Sequence, residues 1–165
     1  MSEQDQKYLD TLLLYYEEEV EGEVYFAEVA KAFEDKTVRE KLELLGEVER
    51  HAALSVVPLL EKYNLTARPT KTLADMGRAD AQATEVDWSK MLAGMNKTYP
   101  GYLDAFKELE AMAPPEDLPR LKFLTEHEVA AIEFLRLEAI DPANSTAPLK
   151  TYLETDPATW VPAAE

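Results

Sequence analysis

Two short acidic segments, each carrying one of the chain's two histidines, hold the residues best equipped for chemistry. Glu47-Val48-Glu49-Arg50-His51-Ala52 follows Leu44-Leu45, and Glu126-His127-Glu128-Val129-Ala130-Ala131 follows Phe123-Leu124. Each segment sets carboxylates and an imidazole on an otherwise apolar helical stripe, and such oxygen and imidazole donors hold divalent cations. Metal-holding helical bundles place an inward Glu on two helices and, on the other two, a Glu with a His three residues later. Here the register is different. Three residues on from Glu49 is Ala52 and from Glu128 is Ala131, while three before His51 is Val48 and before His127 is Leu124. One position on a helix is about 100° of rotation, so the spacing predicts that both imidazoles turn away from a site the glutamates share.

What the chain lacks narrows the chemistry further. It has no cysteine, which excludes disulfides, thiolate metal sites, iron–sulfur clusters and cysteine nucleophiles. None of its five glycines stands in a G-x-G or G-K-[ST] setting, so no glycine-rich loop is present to cradle phosphate. No serine occupies a nucleophile elbow beside a usable histidine. The net charge of −16 opposes nucleic-acid and anionic-membrane partners, which need a positive surface. The same field attracts cations, although solubility alone is reason enough for an acidic surface. No segment approaches eighteen uninterrupted apolar residues, and Met1-Ser2-Glu3-Gln4-Asp5-Gln6-Lys7 lacks the basic start and apolar run of a secretory signal. A soluble, cytoplasmic protein is the expectation. At 165 residues and 46% hydrophobic content the chain can bury one core as a single domain.

The elements that must position these groups are helices. Leu12, Tyr16, Glu19, Phe26, Ala30 and Phe33 share one stripe of a first helix over residues 4–34, which Glu19 interrupts near its centre. A second helix over 37–63 carries Val38, Leu42, Leu45, Glu49, Ala52, Val56, Leu59 and Tyr63, broken only by Glu49, with a bend expected at Pro58. Residues 64–85 are polar and weakly patterned. A connection of this length predicts a crossover running the length of the bundle, with a short helix near 73–83, so that the third long helix lies parallel to the second. That third helix has the stripe Trp88, Met91, Met95, Tyr99, Tyr102, Phe106, Leu109 and Met112, no carboxylate on its core line, and a break or kink expected at Tyr99-Pro100-Gly101. After Pro114-Pro115-Glu116-Asp117, a fourth helix carries Leu118, Leu121, Glu128, Ala131, Leu135 and Glu138. The prolines at 142, 148, 157 and 162 predict an extended tail over 141–165, packed on the 1–140 bundle or on a neighbour.

In this arrangement the chain resembles the ferritin-like superfamily, in the broad sense that includes rubrerythrins. The resemblance covers residues 5–140 and is carried by Glu18 seven residues before Tyr25 in Tyr25-Phe26-Ala27-Glu28-Val29-Ala30, by Glu47–Ala52, and by Glu126-His127-Glu128. It implies an all-α, ferritin-like four-helix bundle in which Glu18 or Glu19 is the ligand of the first helix, Glu49 the bridging carboxylate of the second, and Glu128 that of the fourth. His51 and His127 are the imidazoles nearest that set. The third-helix ligand should lie seven residues before an aromatic, but seven before Tyr102 is Met95, a poor ligand for ferric iron. Asn96, Asp104 and Glu108 are nearby alternatives off the stripe.

The resemblance implies an iron- or manganese-binding protein, and an oxidoreductase acting on oxygen, peroxide or a small substrate if the site is catalytic. Without a third-helix Glu and in-register histidines, an altered or single-ion site fits better than an intact di-iron centre. The alternative is a metal-free, homodimeric binding or scaffold protein, with a small-ligand pocket among Met95, Tyr99 and Tyr102. In that alternative Glu19, Glu49 and Glu128 would pair with cations such as Arg39, Lys41 or Arg120.

Overall fold

Residues 1–160 are described by a computed structural model. They form six helices: α1 (Glu3–Ala32), α2 (Lys36–Lys62), α3 (Thr70–Gln82), α4 (Trp88–Met112), α5 (Leu118–Ile140) and α6 (Ala147–Glu154). No strand occurs among the described residues. The expected third and fourth helices are thus α4 and α5.

Local signals account for the helix starts. Ser2 accepts from the Asp5 amide while the Asp5 carboxylate accepts from the Ser2 amide, a reciprocal cap on α1. Asp35 caps α2 through the Thr37 and Val38 amides, and Asp87 caps α4 through the Lys90 amide. Both internal prolines stay within unbroken helix. Pro58 and Pro100 leave the Leu54 and Asn96 carbonyls without a helical partner, and all four residues lie on exposed faces where water supplies one. The break expected at residues 99–101 is therefore absent.

Pairs across the interior fix the helix directions. Phe33 meets Trp88 while Tyr15 meets Phe106, so α1 and α4 run antiparallel. Lys41 meets Glu138 while Lys62 meets Asp117, so α2 and α5 run antiparallel as well. With α1–α2 and α4–α5 joined by short turns, the order is up, down, down, up, and α4 lies parallel to α2, as the long crossover requires. Glu17, buried on α1, holds the crossover by accepting from the Arg68 amide and Nε at 2.7 and 3.2 Å. From there α3 lies along α1 at close range: a Cβ added to Gly77 would stand 2.6 Å from the Glu21 carbonyl oxygen. Only glycine allows that approach.

The core runs the length of the four long helices, with Leu12, Leu42, Val56, Leu109, Leu124 and Phe134 almost wholly enclosed. Each such side chain stabilises the fold by roughly 1.5–3 kcal/mol. A polar network closes each end. At one, buried Asp117 accepts from Tyr8, Tyr63 and Lys62 at 2.6–2.7 Å. At the other, Lys41 Nζ donates to Glu138 at 2.6 Å and to the Pro142 carbonyl at 3.0 Å, and Trp88 Nε1 donates to Glu138 at 3.3 Å.

Two expectations need correction. Six helices replace four, and the tail is not extended throughout: a short 3₁₀ turn at Pro142–Asn144 leads into α6. Pro148 sits in the first turn of α6, where its missing amide costs nothing, so it starts a helix rather than preventing one. Leu149 and Tyr152 fix α6 against α5 and α2, and the Tyr152 hydroxyl donates to the Phe123 carbonyl. The end of the expected tail, 161–165, lies outside the described residues.

Candidate metal centre

At mid-bundle, Glu19 from α1, Glu49 from α2 and His127 from α5 converge, and one donor atom from each lies within 4.8 Å of the others. His127 Nε2 is 3.1 Å from a Glu19 oxygen, 3.4 Å from a Glu49 oxygen and 3.7 Å from a Glu128 oxygen. Glu19, Glu128 and His127 are buried, while Glu49 keeps slight access to solvent. Gly22, one turn from Glu19 on α1, leaves room for this geometry: a Cβ there would press on the Glu49 carboxyl at 3.2 Å.

The tautomer of His127 follows from its other nitrogen. Nδ1 donates to the Leu124 carbonyl, which leaves Nε2 of a neutral imidazole as a lone pair facing carboxylates. Lone pairs meeting lone pairs in a buried site require something between them, either a proton, on Nε2 or on a carboxyl oxygen, or a metal ion. Burial pulls the His127 pKa down, but the Glu49 and Glu128 charges and the Leu124 carbonyl outweigh it and raise it above the ordinary value. Glu128 is raised as well, to about 7, because burial and the Glu49 charge outweigh the attraction of His127. Glu19 Oε2 and Glu128 Oε1 are buried and find no hydrogen-bond partner among the described residues. Such orphaned acceptors are rare in folded proteins unless something binds them.

The donor set fits a divalent cation. It offers carboxylate oxygens and one imidazole whose second nitrogen is anchored to the backbone, as ligating histidines commonly are. Neighbouring donors 3.1 and 3.4 Å apart match adjacent positions around a small octahedral ion with bonds of about 2.1 Å.

No protein-family model, no curated protein and no solved structure matches the chain. The reading of this centre therefore rests on its own geometry.

Of the sequence-derived candidates, Glu19, Glu49, Glu128 and His127 come together. Glu18 does not join them. It stands exposed at the rim of the adjoining cleft, its pKa raised by partial burial and the Glu49 charge. His51 faces the other way, where Nε2 donates to the Thr155 carbonyl at 2.7 Å and the ring meets Phe123 and Tyr152. The predicted rotation holds for His51 and fails for His127. The reason lies in α6: by covering the outer side of α5 it buries a wide arc of that helix, from Phe123 through His127 and Glu128 to Ala131. Two successive residues thus both lie inside. Of the expected cationic partners, Lys41 is engaged with Glu138 and Arg120 with the Ser55 carbonyl, while Arg39 is exposed.

Helix α4 brings no carboxylate to the centre. Met95 lies where a ligand would be expected, Asn96, Asp104 and Glu108 are exposed, and Tyr99 lines the cleft. Burial, then the Glu49 and Glu128 charges, raise the Tyr99 pKa and keep its hydroxyl protonated. Tyr102, expected on the core stripe, is 52% exposed at the mouth.

Proposed function

We propose that the chain is a ferritin-like protein with an altered, single-ion centre that takes iron or manganese at Glu19, Glu49 and His127, with Glu128 as an adjoining fourth donor. The observation that carries this reading is the buried convergence of three carboxylates on one imidazole with two carboxylate oxygens left unpartnered. The up, down, down, up order with its crossover supports the ferritin-like part. Bound there, iron or manganese would supply an open coordination position and one-electron chemistry toward oxygen or peroxide. The chain's own part is to position the donors, to line the approach with Phe106 and Met95, and to hold on Glu128, with its pKa of about 7 in the metal-free protein, a proton that it would give up as the ion binds.

The 3.1 Å contact between His127 and Glu19 equally supports a metal-free reading, in which imidazolium is the resident cation. Elemental analysis of protein purified without added metal or chelator, beside the Glu49→Gln, Glu128→Gln double variant, separates the two. Near-stoichiometric iron or manganese in the parent, lost from the variant, is the expected result. Absence from both, after growth in metal-supplemented medium, would reject the metal reading.

Gly22→Ala tests the geometry without changing a donor. The new methyl must displace the Glu49 carboxyl by a few tenths of an ångström, while alanine favours the helix by up to about 1 kcal/mol. The melting temperature should stay level or rise while manganese affinity, by calorimetry, falls about tenfold. Unchanged affinity would show that Glu49 is not a ligand.

A further inference from the structure

Above the centre opens a cleft of about 870 Å³. An ion with dioxygen or peroxide needs far less, since one water occupies about 30 Å³ of liquid, whereas clefts of roughly 300–1,000 Å³ take organic ligands. Its walls are apolar and aromatic, from Tyr15, Tyr25 and Phe26 on α1 and Met95, Tyr99 and Tyr102 on α4. Its rim is acidic. Glu18, Glu21, Asp80 and Glu85 stand against a single lysine, Lys90, which Glu85 already holds at 2.7 Å. At its floor the two buried carboxylate oxygens without hydrogen-bond partners, on Glu19 and Glu128, add acceptors and no donors.

We infer that this cleft binds an organic cation of arylalkylamine size, its apolar body between the aromatic walls and its ammonium group among Glu18, Glu21 and Asp80. An anion would meet the rim carboxylates first and, with no metal bound, three floor carboxyls against the single imidazole of His127. A neutral molecule would gain from the walls but leave the rim charges unanswered, whereas an ammonium gains both from them and from the faces of the tyrosines. Glu21 and Asp80 support this independently of the centre. Both line the cleft where α3 crosses α1 at Gly77, so the close approach of the two helices sets carboxyl groups from two separate elements on one rim. The inference shares its cleft with the proposed metal centre and rests on that reading only for which end of the ligand faces the floor.

Calorimetric titration with tyramine and its neutral counterpart tyrosol on metal-loaded and chelator-stripped protein, and with the anionic counterpart 4-hydroxyphenylacetate on stripped protein, where no ion can take its carboxylate, tests this. Tyramine should bind at least about tenfold tighter than tyrosol, with no detectable binding of the acid. The Glu21→Gln, Asp80→Asn variant should lose about tenfold in tyramine affinity while keeping its metal content and melting temperature. Equal binding of tyrosol, binding of the acid, no tyramine binding at millimolar concentration, or a variant of unchanged affinity would each overturn the inference. Tyramine binding by a protein that takes up no metal would reject the metal reading alone, and metal uptake without tyramine binding would reject this one alone.

Discussion

Stripped of metal, the Glu128→Gln variant should melt about 6–12 °C above the parent at pH 8 and level with it at pH 4.5. Glu128 has its pKa raised from an ordinary 4.5 to about 7, so folding favours its protonated form. The stability this contributes is fully present below pH 4.5 and is lost as pH rises through 7. Ionising so enclosed a carboxyl costs about 3 kcal/mol by pH 8, and a chain of this length gains roughly 2–4 °C in melting temperature per kcal/mol. His127 adds to the trend. Its pKa is also raised, so its contribution is complete below about 6.5 and likewise declines as pH climbs through its folded value. The parent without metal should therefore lose stability from mildly acid to mildly alkaline pH, and glutamine should flatten that slope. Manganese should reverse the order at pH 8, because a cation takes the place of the missing protons in the parent and finds a poorer site in the variant. Equal melting curves at pH 8 would mean that Glu128 is better solvated than its surroundings indicate.

Lys41→Met should be the most damaging single change away from the centre, costing about 3–5 kcal/mol. Lys41 and Glu138 are each only 8% exposed at their side chains and 2.6 Å apart. Methionine fills most of the lysine's volume, so the loss is electrostatic: the enclosed Glu138 carboxyl keeps only Trp88 as a donor, and the Pro142 carbonyl loses its partner. A fall of roughly 6–20 °C in melting temperature follows. Adding Glu138→Leu should recover most of it, because replacing a buried pair by apolar residues is often neutral. Thermal and urea unfolding of both variants provide the check. A single variant within about 1 kcal/mol of the parent would show the pair to be solvated, and failure of the double variant to recover would point to packing.

Much of the scaffold was legible because its signals are local. The periodic stripes of α1 and α2 and a connection too long for a hairpin gave the long helices and the direction of α4. The glutamates at positions 19 and 49 were legible because a carboxylate on an apolar stripe conflicts with burial unless something answers its charge. What escaped was set by neighbours that pattern does not reveal. Whether His127 faces inward depends on how much of α5 is covered, and that depends on α6, behind prolines that read as a helix stop. A visible signal was that the apolar residues of α5 fall on more than one side of the helix, with Phe123-Leu124, the run Val129–Ile132 and Phe134-Leu135 each side by side, typical of a helix enclosed on more than one side. Tyr102 errs in the opposite direction. Its stripe is regular, but α4 leaves α1 open at the cleft, and period alone cannot show where two helices stand apart.

The small helix α6 also bears on the order in which the protein can be made. Its Tyr152 and the Thr155 carbonyl complete the packing around Phe123 and His51, the latter on a helix synthesised about a hundred residues earlier. Tyr8 likewise waits for Asp117, 109 positions downstream. At roughly 5–20 residues per second, the α1–α2 hairpin would emerge from the ribosome seconds before its partners, with Leu12, Leu42 and Val56 still open to water and Glu19 and Glu49 facing each other without His127. Nascent chains of this protein are thus candidates for holding by chaperones, and assembly of the bundle becomes a late event in which the last described turn of helix closes a structure begun by the first.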